Sequence, residues 1–376
     1  MTGHLLTLNA GSSSIKFATF DPAISLHTPQ QAGQVDGIGT RSGPADHTQA
    51  LQQVMGRIEG GRITAVGHRI VHGGTQFDQP RLIDDAVLQG IESLSTLAPL
   101  HQPHNLAGVR AAQAAFPGVP QVACFDTAFH RTMPEVHQRF ALPDELFQRG
   151  IRRYGFHGLS YESITAQLRE QHPALAAGRV VIAHLGNGCS MTAVQSGCSV
   201  ATTMSFSPLD GLTMGTRCGR LDAAVVLHLM QQEHFSAEDV SRLLHKGSGL
   251  LGLSGLSSDM RELEAAAQTG HAGAQRALDH FVEQVLRELA GLAAALRGVE
   301  AMVFTGGIGE NAVALRQRIV EGAAWMGLQL DPQANAAGTG CITRAGSAVK
   351  ALVLRTNEEA VIAGHAARLA ALGQTP

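Results

Sequence analysis

The feature that most narrows the fold is a motif that occurs twice. Leu5-Leu6-Thr7-Leu8-Asn9-Ala10 runs into the small turn Gly11-Ser12-Ser13, and Ser14-Ile15-Lys16-Phe17-Ala18-Thr19-Phe20 runs out of it. Val180 to Leu185, the turn Gly186-Asn187-Gly188 and Cys189 to Val194 repeat the layout, and setting Gly11 against Gly188 superposes small and hydroxyl residues. Each copy reads as a β-hairpin whose turn exposes backbone N–H groups. The first turn adds hydroxyls, with Lys16 on the leaving strand. Such a turn can cradle a phosphate, and it can equally be an ordinary Ser/Gly hairpin. The repetition points to two related domains, each presenting one.

A chain of 376 residues is too long for one compact core, which agrees with two domains. Strands and helices alternate as an α/β sheet requires: Ile63 to Gly74 reads as a strand broken by a glycine pair, Gln121 to Thr127 as a strand, Asp84 to Leu97 and Leu106 to Phe116 as helices. In the second half, Ala272 to Arg297 is an unusually long helix, Ala301 to Gly307 is a buried strand entering a glycine turn, and Glu358 to Leu369 is a closing helix.

Charged residues are 16%, the formal net charge is −3 and no Lys/Arg run occurs, so nothing marks a nucleic-acid or membrane surface. A small soluble ligand fits better. Five cysteines, an odd number without CxxC spacing, argue against a disulfide framework and a zinc ribbon. No apolar run reaches about 18 residues and no signal-peptide pattern opens the chain, which leads us to expect a cytoplasmic protein.

Gly307-Ile308-Gly309-Glu310-Asn311-Ala312 fits G-x-G-x-x-A between a strand and a helix, a pattern that suits a dinucleotide. The acidic residue such a site wants on the next strand is missing, and a nucleotide phosphate or ribose at a glycine turn explains the same residues. No G-x-x-x-x-G-K-[ST] exists, which argues against a P-loop NTPase. His68 with His72, and His101 with His104, have spacings open to a metal, but eighteen histidines make such pairs common. Cys218 lies beside Arg217 and Arg220, the one cysteine with obvious activating cations. Arg69 and Arg217 sit in glycine-punctuated segments, suiting a guanidinium that must fork onto a carboxylate or phosphoryl oxygen. Asn9, Asp126 and Glu358 are oxygen donors at apparent strand ends; they suit Mg²⁺ or serve as caps.

Eight segments, taken together and in order, resemble the acetate kinase (acetate/propionate kinase) family. They are Asn9 to Lys16, Gly67 to Gly74, Phe125 to His130, Arg153 to Gly158, His184 to Gly188, Gly211 to Gly219, Gly306 to Asn311 and Arg355 to Glu359. The resemblance implies an α/β fold of two duplicated actin-like ATPase (ASKHA, ribonuclease H-like) domains with an interdomain cleft. It places the first domain at 1–150 plus a closing helix at about 360–376, and the nucleotide-binding domain at 151–359. It also implies ATP and Mg²⁺, with Mn²⁺ as a possible substitute, and a homodimer.

By position, the resemblance makes Arg69, Asp126, His157 and Arg217 catalytic. It sets Asn9, Ser12 and Lys16 at the phosphates, makes Asn187 a phosphate or transition-state contact, and counts His184 and Gly188 among the cofactor-binding residues. Asp259, Met260, Arg261, Gly306, Gly307, Gly309 and Asn311 fall at the nucleotide, and Asn9 and Glu358 at the metal. Arg69, Val71, Leu100, Phe156 and Pro208 would hold the carboxylate substrate, its methyl in a small apolar pocket. The implied reaction is acetate + ATP to acetyl phosphate + ADP, with propionate or butyrate kinase, or a non-catalytic nucleotide-binding homologue, as alternatives. Ala201, Ser205, Arg220 and Ala223 depart from the family pattern near the implied acyl pocket.

Overall fold

The computed structural model describes residues 3–372. Residues 1 and 2 of the expected first domain, and 373–376 of the expected closing helix, lie outside the described residues. The chain divides into two compact units, the first made of residues up to 131, 156–163 and from 357 onward, the second of 132–155 and 164–356.

The first unit is built on strands β1 (His4–Ala10), β2 (Ser14–Phe20), β3 (Gln31–Asp36), β4 (Ile63–Ile70), β5 (Arg81–Leu82) and β6 (Gln121–Phe125). They lie in the order β3-β2-β1-β4-β6-β5. β1 pairs antiparallel with β2 and parallel with β4, and β4 pairs parallel with β6. Helices cover both faces, as a parallel centre demands. The period of two is visible along β1. Leu6 and Leu8 pack with Leu51 and Val54 of helix His47–Arg57 and with Ala111 and Ala112 of helix Gln102–Ala115. Leu5 faces the other way, onto Ile362, Ala363 and Ala366 of helix Glu358–Leu372.

The second unit repeats the plan with β7 (Arg179–Leu185), β8 (Cys189–Gln195), β9 (Cys198–Thr202), β10 (Ala301–Thr305), β11 (Gly340–Cys341) and β12 (Lys350–Val353). Read from its meander edge, the order is β9-β8-β7-β10-β12-β11, strand for strand that of the first unit. The duplication is therefore in the topology. Its register differs from the expected one: β1 ends at Ala10 and β7 at Leu185, so the structure sets Gly11 against Gly186, not Gly188. Helix Ala272–Ala295 packs on this sheet and on neighbouring helices, burying Phe281, Val285, Leu289 and Leu292. Among the described residues, no helix is long and apolar enough to cross a membrane.

Candidate active site

In the first unit, the expected residues gather at the ends of β1, β4 and β6. Arg69, next to last on β4, donates through Nε to Asp126 Oδ1 at 3.1 Å, through Nη2 to Asp126 Oδ2, and through Nη1 to Asn9 Oδ1 at 3.2 Å. Its Nε lies 3.8 Å from Glu358 Oε2 at the start of the closing helix. Lys16 stands across from Asn9 in the β1/β2 register, and Ser12 is exposed in the turn between them. The fork on Asp126 fixes the guanidinium plane. A bidentate pair of this kind gives direction as well as attraction.

Asp126 is held in turn by backbone. Its N–H donates to Ile70 O at 2.9 Å, and its carbonyl accepts from Gly158 N at 2.8 Å. A Cβ on Gly158 would lie 2.1 Å from that carbonyl oxygen, so only glycine lets the next helix, Gly158–Gln171, start so close to the end of β6. His157, one residue before, has φ 59°, the left-handed region that His tolerates better than most residues. Of the expected apolar pocket, Val71 and Phe156 are buried, with Phe156 edge-on to His72 at 5.6 Å, while Leu100 is 45% exposed.

Charge in this cluster is finely opposed. Burial works against the Arg69 cation, but Asp126 and Glu358 together carry it above its ordinary value, so it stays charged at any working pH. Burial pushes the Glu358 carboxyl up, Arg69 pulls it down, Glu359 pushes it up again, and the net direction is upward. A divalent cation would relieve that. Asn9, Asp126 and Glu358 offer one amide and two carboxylate oxygens, a hard donor set of the kind Mg²⁺ takes beside phosphates and waters, and the residues present fit the ion.

The second unit holds the glycine turns. Gly186-Asn187-Gly188 follows β7, where His184 is half-buried, and Gly306-Gly307 follows β10 and opens helix Gly306–Asn311. Gly306 has φ 77°, and a Cβ there would meet Leu185 O at 2.8 Å, so the second turn rests against the end of β7. Asn187 O accepts from Gly215 N at 3.1 Å, bringing in the segment that carries Arg217. Arg217 Nη1 donates to Pro208 O at 2.5 Å. Asn311 donates back to Gly307 O at 2.8 Å, and Gly309 is buried. Asp259 caps helix Met260–Gln268 and grips Arg261, which holds its carboxyl down at about 2; Met260 is buried.

Three polar residues escaped the sequence reading. Asn105 joins Val71 N to Ala10 O, tying the ends of β4 and β1. Glu310 accepts from Gly306 N at 3.0 Å and from Thr356 N at 3.2 Å, fastening the glycine turn to the segment after β12. Fully buried Arg316 donates to Gly309 O, Glu310 O and Asn335, bracing the same turn from behind. Glu310 lies inside a motif already singled out, and that was its one signal. Of the two readings left open above, His68 donates to Gln121 at 2.6 Å and His72 accepts from Gly74 N, so each is engaged within the fold. The Cys218 thiol is pushed up by burial, away from reactivity, despite its neighbouring arginines.

A model of the acetokinase family matches residues 4–364. The chain is 47% identical to an acetate kinase of Methylocella silvestris, over 97% of each chain. It is 46% identical to one of Rhodopseudomonas palustris, over 98% of this chain and 99% of the relative. Among solved structures, it resembles a propionate kinase of Francisella tularensis (TM-score 0.92, 36% identity) and an acetate kinase of Porphyromonas gingivalis (TM-score 0.90, 35% identity). Each covers 98% of this chain and 100% of the other.

Proposed function

The chain belongs to the acetokinase family, and we propose on that footing that it transfers the terminal phosphoryl group of ATP to the carboxylate of a short-chain acid. Acetate is the first candidate, giving acetyl phosphate and ADP by a reversible, direct in-line displacement. The observation that carries the reading is Arg69, forked on Asp126 and tied to Asn9, a cation with its direction already fixed. A carboxylate is ionised at neutral pH, so the reaction needs no general base. What remains is positioning and stabilisation of charge on the moving phosphoryl group.

In this reading Arg69 and Arg217 hold the carboxylate and the transferring group, Asp126 orients Arg69, and His157 donates to the equatorial oxygens. Val71, Leu100, Phe156 and Pro208 receive the acyl methyl. Ser12, Lys16, His184, Asn187 and Gly188 take the phosphates. Gly306, Gly307, Gly309 and Asn311, with Asp259, Met260 and Arg261, take the nucleoside; bare glycine backbone at Gly307 supports close approach. Asn9 and Glu358, with Asp126 beside them, would hold Mg²⁺, or Mn²⁺ in its place. When bound, the ion offsets phosphate charge.

Propionate is the second candidate substrate, favoured by the similarity to the Francisella propionate kinase. One methylene is worth only about 1–3 kcal/mol in a pocket. We further infer a cytoplasmic enzyme, where ATP is available, and a homodimer. Supporting the dimer, helix Ala223–Gln231 has no buried residue and exposes Val225, Leu227 and Met230.

The test is trapping of acyl phosphate as hydroxamate, with ATP and Mg²⁺, across acetate, propionate and butyrate. We expect acetate to give the highest kcat/KM, and Arg217→Ala to lower turnover by about two orders of magnitude or more in a folded protein. No acyl phosphate from any of the three acids would overturn the reading.

A further inference from the structure

Helix Ala272–Ala295 buries an apolar stripe, and a carboxylate interrupts it. Glu288 is 7% exposed, among the buried residues Val285, Leu289 and Leu292. A carboxylate in such a place costs free energy unless a cation or hydrogen bonds repay it. Burial pushes the Glu288 carboxyl up; Arg220 pulls it down, Asp210 pushes it up and Arg153 pulls it down. Arg220 lies in ion-pair contact with it, Nη2 to Oε1 at 3.1 Å, an attraction between charges off the line of a good hydrogen bond.

Arg220 is also the foot of a loop. Its N–H donates to Gly211 O at 2.8 Å, closing the segment 211–220 on itself, with Gly219 in the left-handed region at φ 72°. At the other foot, Asp210 accepts from Ser205 Oγ at 2.6 Å and lies 3.5 Å from Arg153 Nη1. Each foot therefore carries a charge, of opposite sign, with a partner outside the loop. Between them sits Arg217, whose carbonyl accepts from Met214 N at 3.1 Å.

We propose that Glu288 and Arg220 are a positioning pair: the buried carboxylate fixes one foot of the loop and so sets where the Arg217 guanidinium lies. The proposal rests on the role given to Arg217 above. A small misplacement of a reacting group is enough to slow a positioned reaction by as much as about a hundredfold.

The experiment compares Glu288→Gln, Arg220→Met, the double variant and Arg220→Lys in the acyl-phosphate assay, with Arg217→Ala alongside. Expected are single variants about tenfold down in kcat, with KM for ATP within about twofold of wild type. The double variant should be as low as the singles and no lower, because both changes cut one link. Arg220→Lys, which keeps the charge, should recover activity to within about threefold. Single variants within about twofold of wild type overturn the pair. A double variant restored to wild-type turnover also overturns it, since the cost was then only an unpaired buried charge. If Arg217→Ala loses turnover while the pair variants do not, the inference alone fails; if Arg217→Ala keeps wild-type turnover, the reading of Arg217 fails first and takes the inference with it.

Discussion

Three histidines of the first unit are kept neutral by where they lie. Burial lowers His68, His72 and His130 from 6.5 to about 4. His68 donates to Gln121 and His130 to Phe156 O, each needing only a neutral ring. The folded state thus binds fewer protons than the unfolded chain between pH 6.5 and 4. The resulting stability is complete above about pH 6.5 and is lost as pH falls toward 4, on the order of 3 kcal/mol per histidine at the acid end. We predict a thermal midpoint that is level above pH 7 and falls steadily below 6.5, with His68→Gln flattening the slope; a midpoint independent of pH from 7 to 4.5 contradicts this. At this scale, residues framed by glycines or placed at strand ends were legible: Arg69, Asp126 and Asn9 do meet. Glu288, Asn105 and Arg316 were not, because a polar residue inside an apolar stripe declares its partner only when distant segments are brought together.

At the level of elements, two glycines, one at a helix start and one in a helix interior, have opposite consequences. Gly158 opens its helix against the Asp126 carbonyl, while Gly364, within helix Glu358–Leu372, has nothing within 4 Å of where a Cβ would go. Gly158→Ala should destabilise by about 1–3 kcal/mol through steric displacement and lower kcat with it, since Asp126 and His157 flank the contact. Gly364→Ala should be neutral or stabilising by up to about 1 kcal/mol, through helix propensity. Denaturant midpoints and kcat read both, and equal behaviour of the two variants refutes the steric account. The hairpins and long helices were readable because their periods run over many residues. The two-residue strands Arg81–Leu82 and Gly340–Cys341 have no period to read, and helix Gly249–Ser254 begins and continues with glycine, which disguises it as a turn. The strand read as broken by the glycine pair Gly73-Gly74 stops earlier, at Ile70, where Asp126 N takes its last carbonyl.

For the whole molecule, the repeated strand order makes the duplication plain, and the sequence carried it through the paired hairpins although the offset between their turns was misjudged. The exposed apolar helix Ala223–Gln231 leads to the prediction that sedimentation gives twice the chain mass and that Leu227→Glu shifts it to one chain; wild type sedimenting as a single chain at micromolar concentration defeats the homodimer. The first unit has one further property. Ile362, Ala363 and Ala366, which pack with Leu5, Ala65 and Val122, come from a helix that follows the whole of the second unit in the chain. On the ribosome, β1, β4 and β6 therefore emerge without that helix over one face and stay so while the second unit is synthesised. The unit that begins first is completed only after the second has been made, and the nascent chain must keep a greasy sheet from its neighbours until that helix arrives.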